Sequence, residues 1–487
     1  MDIQQARSYI DAESRELAKC EKEITRLYNA LAELEAHRTA VLERIKRCRS
    51  WLSPIRRLPP ELLAQIFALV CTPEFGVYSL DFRLRRTILC TTPTLALTHV
   101  SHHWRVTASA SARLWSSIRF TLSHKLSEAQ TFRVRSLLKL YLTNSRDHAL
   151  HLTDLCYYPH HESPISNLLS HAISRIAKLD LVEELGVTMP THSRLPQWLV
   201  DALRTAPQLY HVKLHCLDSI NLPYHQLTVL EVTNIINARW LARILKLCIN
   251  LDSLHLQFLQ SRSNQVFDMK THVWMKTLRR LRVQVERPVE LVRFLQQISI
   301  PLLSSFRISI EGGPGRLSLV SIVDLIRRSQ CRLDEFRFQI RSGCMDIPNA
   351  DLYDLLVLCP ELSQLEVDVF RPHCEDMNPG TFVCQLLDVL APANLHHTPI
   401  PSPKLTHLVV SERWTTYNVN PGTVDALLGR LEARIGALRD YRTRVPVSRW
   451  KWDLRFGALP DGLEGFRGRI EKLAECGLKL QAPMGYH

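Results

Sequence analysis

The sequence predicts a protein that is mostly α-helical near its N-terminus and continues as an α/β solenoid, in which short parallel strands alternate with backing helices. Three observations support this prediction. The first 50 residues have heptad spacing, residues 53–120 contain short and unusually apolar helices, and one strand-length apolar pattern recurs nine times between residues 176 and 410. Of the 487 residues, 46% are hydrophobic and 22% charged, so the chain is long enough for several units and too apolar to be disordered.

The N-terminal segment, residues 1–52, has the pattern of a coiled coil. One core position of the heptad holds Ile10, Leu17, Ile24, Leu31, Arg38 and Ile45, and the other holds Cys20, Leu27, Leu34, Val41 and Cys48. Glu13 and Arg38 interrupt this apolar seam. We expect a long helix whose seam needs a partner. The partner is either a second molecule, through self-association, or the helix's own domain, if the helix folds back on it.

Residues 53–120 form the second predicted unit, a small three-helix module. Its first part reads SPIRRLPPELLAQIFALV, in which Pro59 and Pro60 suit the first positions of a helix. From Glu61 to Val70, apolar side chains cover most of the helix, whereas an ordinary surface helix has one apolar stripe. A module of about 65 residues buries only around 60% of its unfolded surface. We therefore expect an exposed apolar face that binds another protein.

Five short blocks in this region resemble a known motif. In order, they are Leu58-Pro59-x-Glu61-Leu62-Leu63, Ile66-Phe67, Val100-Ser101, Trp104-Arg105 and Leu114-Trp115. Together they are similar to the F-box motif, over about a seventh of the chain. Proteins with this motif bind a Skp-type adaptor that links them to a cullin scaffold, while a C-terminal repeat domain captures a substrate for ubiquitin transfer. The resemblance thus implies the substrate-recognition subunit of a Skp-cullin-F-box ubiquitin ligase complex, with no catalytic centre of its own.

The resemblance also assigns roles to residues of the module. Carried over position by position, it predicts that the adaptor contacts Leu58, Pro59, Leu62, Leu63, Ile66, Val100 and Trp104. It predicts that Phe67, Leu97 and Trp115 pack the module's own three helices.

The remainder of the chain is dominated by the repeated pattern of an apolar residue, two residues, an apolar residue, one residue and a third apolar residue. Leu209, Val212 and Leu214 are one example, and helical segments such as ARWLARILKLCIN lie between the units. Stacked strand and helix units predict a leucine-rich-repeat-like array. The array is irregular, because the units start 18 to 43 residues apart instead of the usual 20 to 29. The predicted boundaries are 121–170 for a linker helix and first atypical repeat, 171–415 for the array, and 416–487 for a C-terminal helix and cap.

The outward face of the array is a candidate for substrate binding. In each strand the residue between the last two apolar positions, and those flanking them, point away from the core. Four arginines in three successive units occupy such positions: Arg280, Arg282, Arg307 and Arg337. We expect one basic strip that suits an acidic or phosphorylated ligand. The alternative is a solvated face of mixed charge, since Glu335, Glu366 and Asp368 are close by.

Other functional classes find little support in the sequence. It contains no nucleophile elbow, P-loop, HExxH motif or pair of cysteines at metal-ligand spacing, so we expect no catalytic residues, no metal site and no cofactor. The net charge of +13 is spread over 61 basic and 48 acidic residues, and a nucleic-acid partner is not expected.

We expect an intracellular protein, in the cytoplasm, the nucleus or both. The thirteen cysteines are scattered singly, no apolar signal core is present at the N-terminus, and no apolar run is long enough to cross a membrane. The alternative to the ubiquitin ligase hypothesis is a non-catalytic coiled-coil scaffold that presents the repeat surface to a protein or a nucleic acid.

Overall fold

The computed structural model describes most of the chain. The described residues are 3–71, 79–81, 93–121, 128–156, 168–169, 172–180, 203–204, 206–215, 222–233, 238–257, 269–311, 319–341, 349–371, 386, 389, 402, 404–414, 425, 428–429, 432–433, 451–456, 468–469, 471–472 and 478–481.

Nine α-helices lie within these ranges. They are α1 (Ile3–Leu52), α2 (Pro60–Val70), α3 (Pro93–Val100), α4 (His102–Ala110), α5 (Glu128–Asn144), α6 (Ala238–Leu247), α7 (Pro288–Gln296), α8 (Val320–Ser329) and α9 (Asn349–Leu358). Helices α2 and α7 both begin with proline, whose missing N–H is not needed at a helix start. Single 3-10 turns precede α2 at Pro54–Arg57 and follow α4 at Ala112–Trp115.

The described chain also contains sixteen strands. They are β1 (Ser79–Asp81), β2 (Ser117–Thr121), β3 (Leu150–Cys156), β4 (Ile176–Asp180), β5 (His211–His215), β6 (Val229–Thr233), β7 (Ser253–Gln257), β8 (Val273–Trp274), β9 (Arg280–Val285), β10 (Ile298–Ser299), β11 (Ser305–Ile310), β12 (Glu335–Ile340), β13 (Gln364–Arg371), β14 (His407–Trp414), β15 (Lys451–Phe456) and β16 (Leu478–Gln481).

Fourteen of the described strands form one sheet, in which the spatial order follows the chain order. Every neighbouring pair is parallel, from β1 beside β2 to β15 beside β16. Strands β8 and β10 are left out and pair with each other. Parallel neighbours need a crossover connection, and α6, α8 and α9 lie in three of these connections. The prediction of a mixed α/β fold with parallel strands is therefore confirmed.

Each of the nine predicted apolar units contains one strand of this sheet, from β4 to β14 with β8 and β10 left out. The sheet is nevertheless longer than the predicted array. Strand β1 and all but the last residue of β2 lie within the range assigned to the helical module, and β15 and β16 lie beyond residue 415. The apolar pattern did not predict β15 and β16, because charged residues occupy its first apolar position before each strand. These residues are Arg449 and Glu475. Most of the C-terminal helix that the sequence predicts lies outside the described residues.

The buried side chains of the module and of the sheet form one continuous apolar cluster. It extends from Leu63 in α2 to Leu428 near the C-terminus. Trp115 connects the two parts, because its indole N–H donates to the Ala108 carbonyl oxygen at 2.7 Å and its ring meets the Tyr141 ring of α5 edge-on at 5.0 Å. The predicted boundary at residue 120 is thus not a break in the core.

Helix α1 exposes most of the apolar side chains of its heptad seam. The isoleucine and leucine residues of its heptad seam have 42 to 67% of their surface accessible to solvent. These side chains are therefore exposed along the described length of α1. None of the helices in the described ranges is long and apolar enough to span a membrane.

The sheet core generates a stability prediction. Phe306 is fully buried in β11, with its ring centroid 5.8 Å from that of Phe336 in β12. We expect Phe306→Ala to lower the free energy of unfolding by about 3 to 5 kcal/mol, because it removes apolar contacts and leaves a cavity. Urea denaturation of the full chain, followed by circular dichroism, measures the change.

The matched control is Leu302→Ala, which truncates an exposed apolar side chain just before the same strand. Surface substitutions usually change stability by only about 0.5 kcal/mol. Equal losses in the two variants would contradict the placement of Phe306 in the core.

Candidate functional site

The helical module, α2 to α4 with the following 3-10 turn, is held together by short polar contacts. The Ser101 hydroxyl caps α4 by accepting a hydrogen bond from the Trp104 N–H at 3.2 Å. The Arg105 side chain donates to the Thr98 carbonyl oxygen at 2.9 Å, which connects α4 to α3. The Thr94 hydroxyl donates to the Leu114 carbonyl oxygen at 3.3 Å. These contacts fix the position of Trp104, whose ring lies 5.0 Å from that of Phe67 in α2.

Helix α2 has two apolar faces, one of which is buried and the other exposed. Leu63 and Phe67, which are four residues apart, are buried against the rest of the module. Leu62, Ile66 and Leu69 are three or four residues apart on a neighbouring face of the helix and are exposed. The exposed fraction reaches 71% at Leu69. The module therefore buries one face of α2 and leaves the other available to a partner.

The residues predicted to contact an adaptor occupy both faces. Pro59, Leu62, Ile66 and Val100 are exposed, and Leu58 and Trp104 are half-buried. Leu63 is the exception, because it is fully buried and points into the module's core. Leu63 therefore belongs with the packing residues. Phe67, Leu97 and Trp115 are buried, as expected for side chains that pack the three helices.

Three further residues of the module are apolar and exposed but are not among the predicted adaptor contacts. Leu69 and Val70 form the last turn of α2, and Val106 lies on α4. Leu69 and Val70 belong to the same apolar run as Leu62 and Ile66, so helical spacing alone could have identified them. We call Leu62, Ile66, Leu69 and Val70 the outer face of α2.

The second candidate site is the polar face of the sheet. Arg282 in β9 lies directly beside Arg307 in β11, and Arg307 lies directly beside Arg337 in β12. Neighbouring strands are about 4.8 Å apart, so the three side chains start from adjacent positions. Arg280 is in a different row, beside Ser305. We call Arg282, Arg307 and Arg337 the arginine row.

Acidic side chains neutralise most of these arginines. Arg307 pairs with Glu335 at 2.9 Å, and Arg337 pairs with both Glu335 and Glu366. Arg280 pairs with Asp252 at 2.5 Å. Burial opposes ionisation of Glu335, but the Ser305 hydrogen bond and the two guanidinium groups outweigh it and lower the pKa of Glu335 below its ordinary value. Within the described ranges, Arg282 is the arginine of the row that has no acidic partner.

A charged cluster continues the same row towards the N-terminal end of the sheet. His255 lies beside Arg282, and Glu231 lies beside His255. Glu231 contacts the ring nitrogens of His211 at 3.2 Å and of His255 at 3.6 Å. Hydrogen bonds from His211 and His255 hold the pKa of the Glu231 carboxyl far below its ordinary value. The polar face is thus acidic at Glu231, basic at Arg282 and acidic again at Glu366.

The His, Cys, Asp and Glu side chains of the described chain are the candidates for metal-ligand groups, and its cysteines are the candidates for reactive thiols. No group of three or more His, Cys, Asp or Glu side chains in it is arranged to hold a metal ion. Cys71, Cys248, Cys331 and Cys359 are buried. Burial raises the pKa of Cys248 to about 12, so this thiol stays protonated and behaves as an apolar core residue.

No protein-family model matches the chain, and no curated protein is significantly similar to it.

The Glu231 cluster gives a pH prediction. Because the folded-state pKa of Glu231 lies below the ordinary 4.5, the carboxylate stabilises the fold above about pH 4.5, and this contribution is lost as the pH falls from there towards the folded-state pKa. Glu231→Gln removes the contribution. The difference in urea midpoint between the wild type and this variant should therefore be largest above about pH 5 and shrink towards about pH 3.

The control is Glu286→Gln, since Glu286 has no hydrogen-bond or ion-pair partner in the described chain. Its urea midpoint should follow that of the wild type at each pH. A difference in urea midpoint between Glu231→Gln and the wild type that increases as the pH falls would contradict the lowered pKa of Glu231.

Proposed function

We propose that this protein is the non-catalytic substrate-recognition subunit of a Skp-cullin-F-box ubiquitin ligase complex. The helical module binds a Skp-type adaptor, and through it a cullin scaffold. The parallel sheet acts as a leucine-rich-repeat-like domain that captures a protein substrate in the cytoplasm or nucleus. The single observation that best supports the proposal is the exposed outer face of α2 on a module whose sequence resembles the F-box motif.

The outer face of α2 has the chemistry of a protein interface. It presents four exposed aliphatic side chains on one helix, and burying each contributes about 1.5 to 3 kcal/mol. Val100 at the end of α3 adds a further exposed aliphatic side chain. Pro59 precedes the face with a fixed backbone, so little conformational entropy is lost at that point when a partner binds. Burial of this surface in an apolar groove of an adaptor is therefore more favourable than its exposure to water.

The polar face of the sheet is the proposed substrate surface. Parallel strands display their outward side chains in rows, and a ligand that lies across the strands contacts several rows at once. Arg282 is the favoured cation for an acidic or phosphorylated substrate, because its charge is not already paired within the described chain. Arg307 and Arg337 must first exchange their glutamate partners for the ligand.

The exposed seam of α1 favours a second candidate function. A scaffold that oligomerises through α1 could present the sheet to a protein or nucleic acid without any role in ubiquitin transfer. This alternative requires no adaptor. Binding to nucleic acid would also fall steeply as salt rises, because each phosphate contact releases counterions.

The first test concerns the adaptor. We expect Leu58→Ala combined with Pro59→Ala, and separately Leu62→Ala combined with Ile66→Ala, to weaken co-purification with a Skp-type adaptor at least tenfold, because each pair removes apolar contact area. The control is Leu247→Ala, which truncates an exposed leucine on α6, outside the module. Circular dichroism checks that all variants remain folded. Undiminished adaptor capture by both double variants would refute the proposal, and the scaffold function would then be favoured.

The second test concerns the arginine row. We expect Arg282→Glu to weaken binding of a fluorescein-labelled polyglutamate or phosphoserine peptide by about tenfold or more, since one charge-assisted hydrogen bond contributes about 1.5 to 3 kcal/mol. The control, Arg279→Glu, reverses a charge at a neighbouring exposed arginine outside the row. Fluorescence anisotropy measures the affinity. Equal losses in both variants would indicate a general charge effect and contradict a site at Arg282.

A further inference from the structure

Helix α1 exposes an apolar seam along most of its length. At about 1.5 Å per residue, its 50 residues extend roughly 75 Å. Seven isoleucine and leucine side chains repeat along the seam, and the least exposed of them is still 42% accessible. An amphipathic helix gains most of its stability by packing this kind of stripe against another surface. The seam therefore requires a partner of similar length.

Two charged residues in the seam restrict what that partner can be. Glu13 and Arg38 are exposed core positions of the heptad, 25 residues apart. Neither has an ion-pair or hydrogen-bond partner in the described chain. A charge that becomes buried without a partner is strongly destabilising. The partner must therefore offer a positive charge at the level of Glu13 and a negative charge at the level of Arg38.

A second copy of α1 meets this requirement only when it runs antiparallel. In a parallel dimer, equivalent core positions face each other, so Glu13 would face Glu13 and Arg38 would face Arg38. The flanking positions would add two more repulsive contacts, Glu16 beside Glu21 and Arg44 beside Arg49. The parallel arrangement thus places like charges together both inside the seam and at its edges.

In an antiparallel dimer, the first core position of one helix faces the second core position of the other. When Arg38 faces Glu13 of the second copy, symmetry creates the same pair again at the other end of the dimer. Between these ends the aligned pairs are apolar, as in Leu17 with Leu34 and Ile24 with Leu27. At the edges, Glu16 lies beside His37, and no like charges meet there.

The charged pair also selects one register among the antiparallel ones. A shift by one heptad places Arg38 opposite Cys20 and Glu13 opposite Ile45, which leaves both charges unpaired in the seam. A polar residue at a core position is a known way to fix the register of a coiled coil. Here the two interruptions of the seam are complementary to each other.

We propose that α1 pairs with α1 of a second copy of this chain as an antiparallel two-stranded coiled coil, in which Arg38 of each helix faces Glu13 of the other. The dimer places the remainder of the two chains at opposite ends of a rod about 70 Å long. This inference does not depend on adaptor binding, because it concerns only α1.

The first experiment tests the charged pair. Sedimentation velocity of the purified full chain should give the mass of two chains. Glu13→Arg and Arg38→Glu should each weaken dimerisation at least tenfold, and the variant with both changes should recover it, because the pair is restored with reversed sign. The control is Glu33→Arg, at an exposed position outside the seam, which should remain dimeric. Monomeric wild type, unaffected single variants or a double variant no better than the single ones would overturn the proposal.

The second experiment tests the orientation through Cys20, which is an exposed seam residue. In the antiparallel register Cys20 faces Leu31, while the two Cys20 residues are about 16 Å apart along the axis, too far for a disulfide. Under mild oxidation, Leu31→Cys should form a covalent dimer, whereas wild type and the variant that combines Leu31→Cys with Cys20→Ser should not. Crosslinking of the wild type, or of the combined variant, would indicate a parallel dimer and overturn the proposal.

Discussion

The burial of Trp115 is the interaction on which the two halves of the molecule depend. Its indole N–H donates to the last turn of α4, and its ring packs against Tyr141 of α5. Two residues later β2 begins, and every strand of the sheet except β1 comes after it in the chain. Because one side chain completes the helical module and also precedes the first long ladder of the sheet, the module is not an independent unit joined by a flexible linker. The outer face of α2 therefore belongs to a module whose core is continuous with that of the sheet.

Much of the sheet could be predicted from spacing, and the exceptions have specific causes. Parallel strands in register require two apolar residues on the core side, so units such as Leu230 with Val232 in β6 follow a fixed pattern. Strands β15 and β16 keep the last two positions of that pattern but have charged residues at the first. Trp115, Ile118 and Phe120 have the full spacing around β2. However, Trp115 also fits the helical motif, and spacing alone could not show that it serves both.

The outer face of α2 and the arginine row could each be predicted only in part, because spacing in the sequence does not show which distant side chains pack or pair together. Helical spacing showed that α2 has two apolar faces, but it could not show which face is inward. That depends on Trp104, more than 30 positions later, packing against Phe67. The alignment of Arg282, Arg307 and Arg337 followed from the repeat register. The sequence also placed Glu335 and Glu366 close by as a mixed-charge alternative. It could not show that Glu335 pairs with both Arg307 and Arg337, because that requires Ser305 to hold Glu335 between the two arginines.

The α1 seam and the outer face of α2 are both apolar and exposed, but they differ in charge and therefore favour different partners. The α1 seam carries one negative and one positive residue, so it rejects partners that lack complementary charges at the same distance. The outer face of α2 is aliphatic, with Glu61 and Gln65 at its border, and so selects by shape and apolar area. Charge gives specificity mainly by penalising wrong partners, whereas aliphatic burial supplies most of the binding free energy. The proposed dimer seam on α1 and the proposed adaptor face on α2 therefore do not compete, and one chain can use both at the same time.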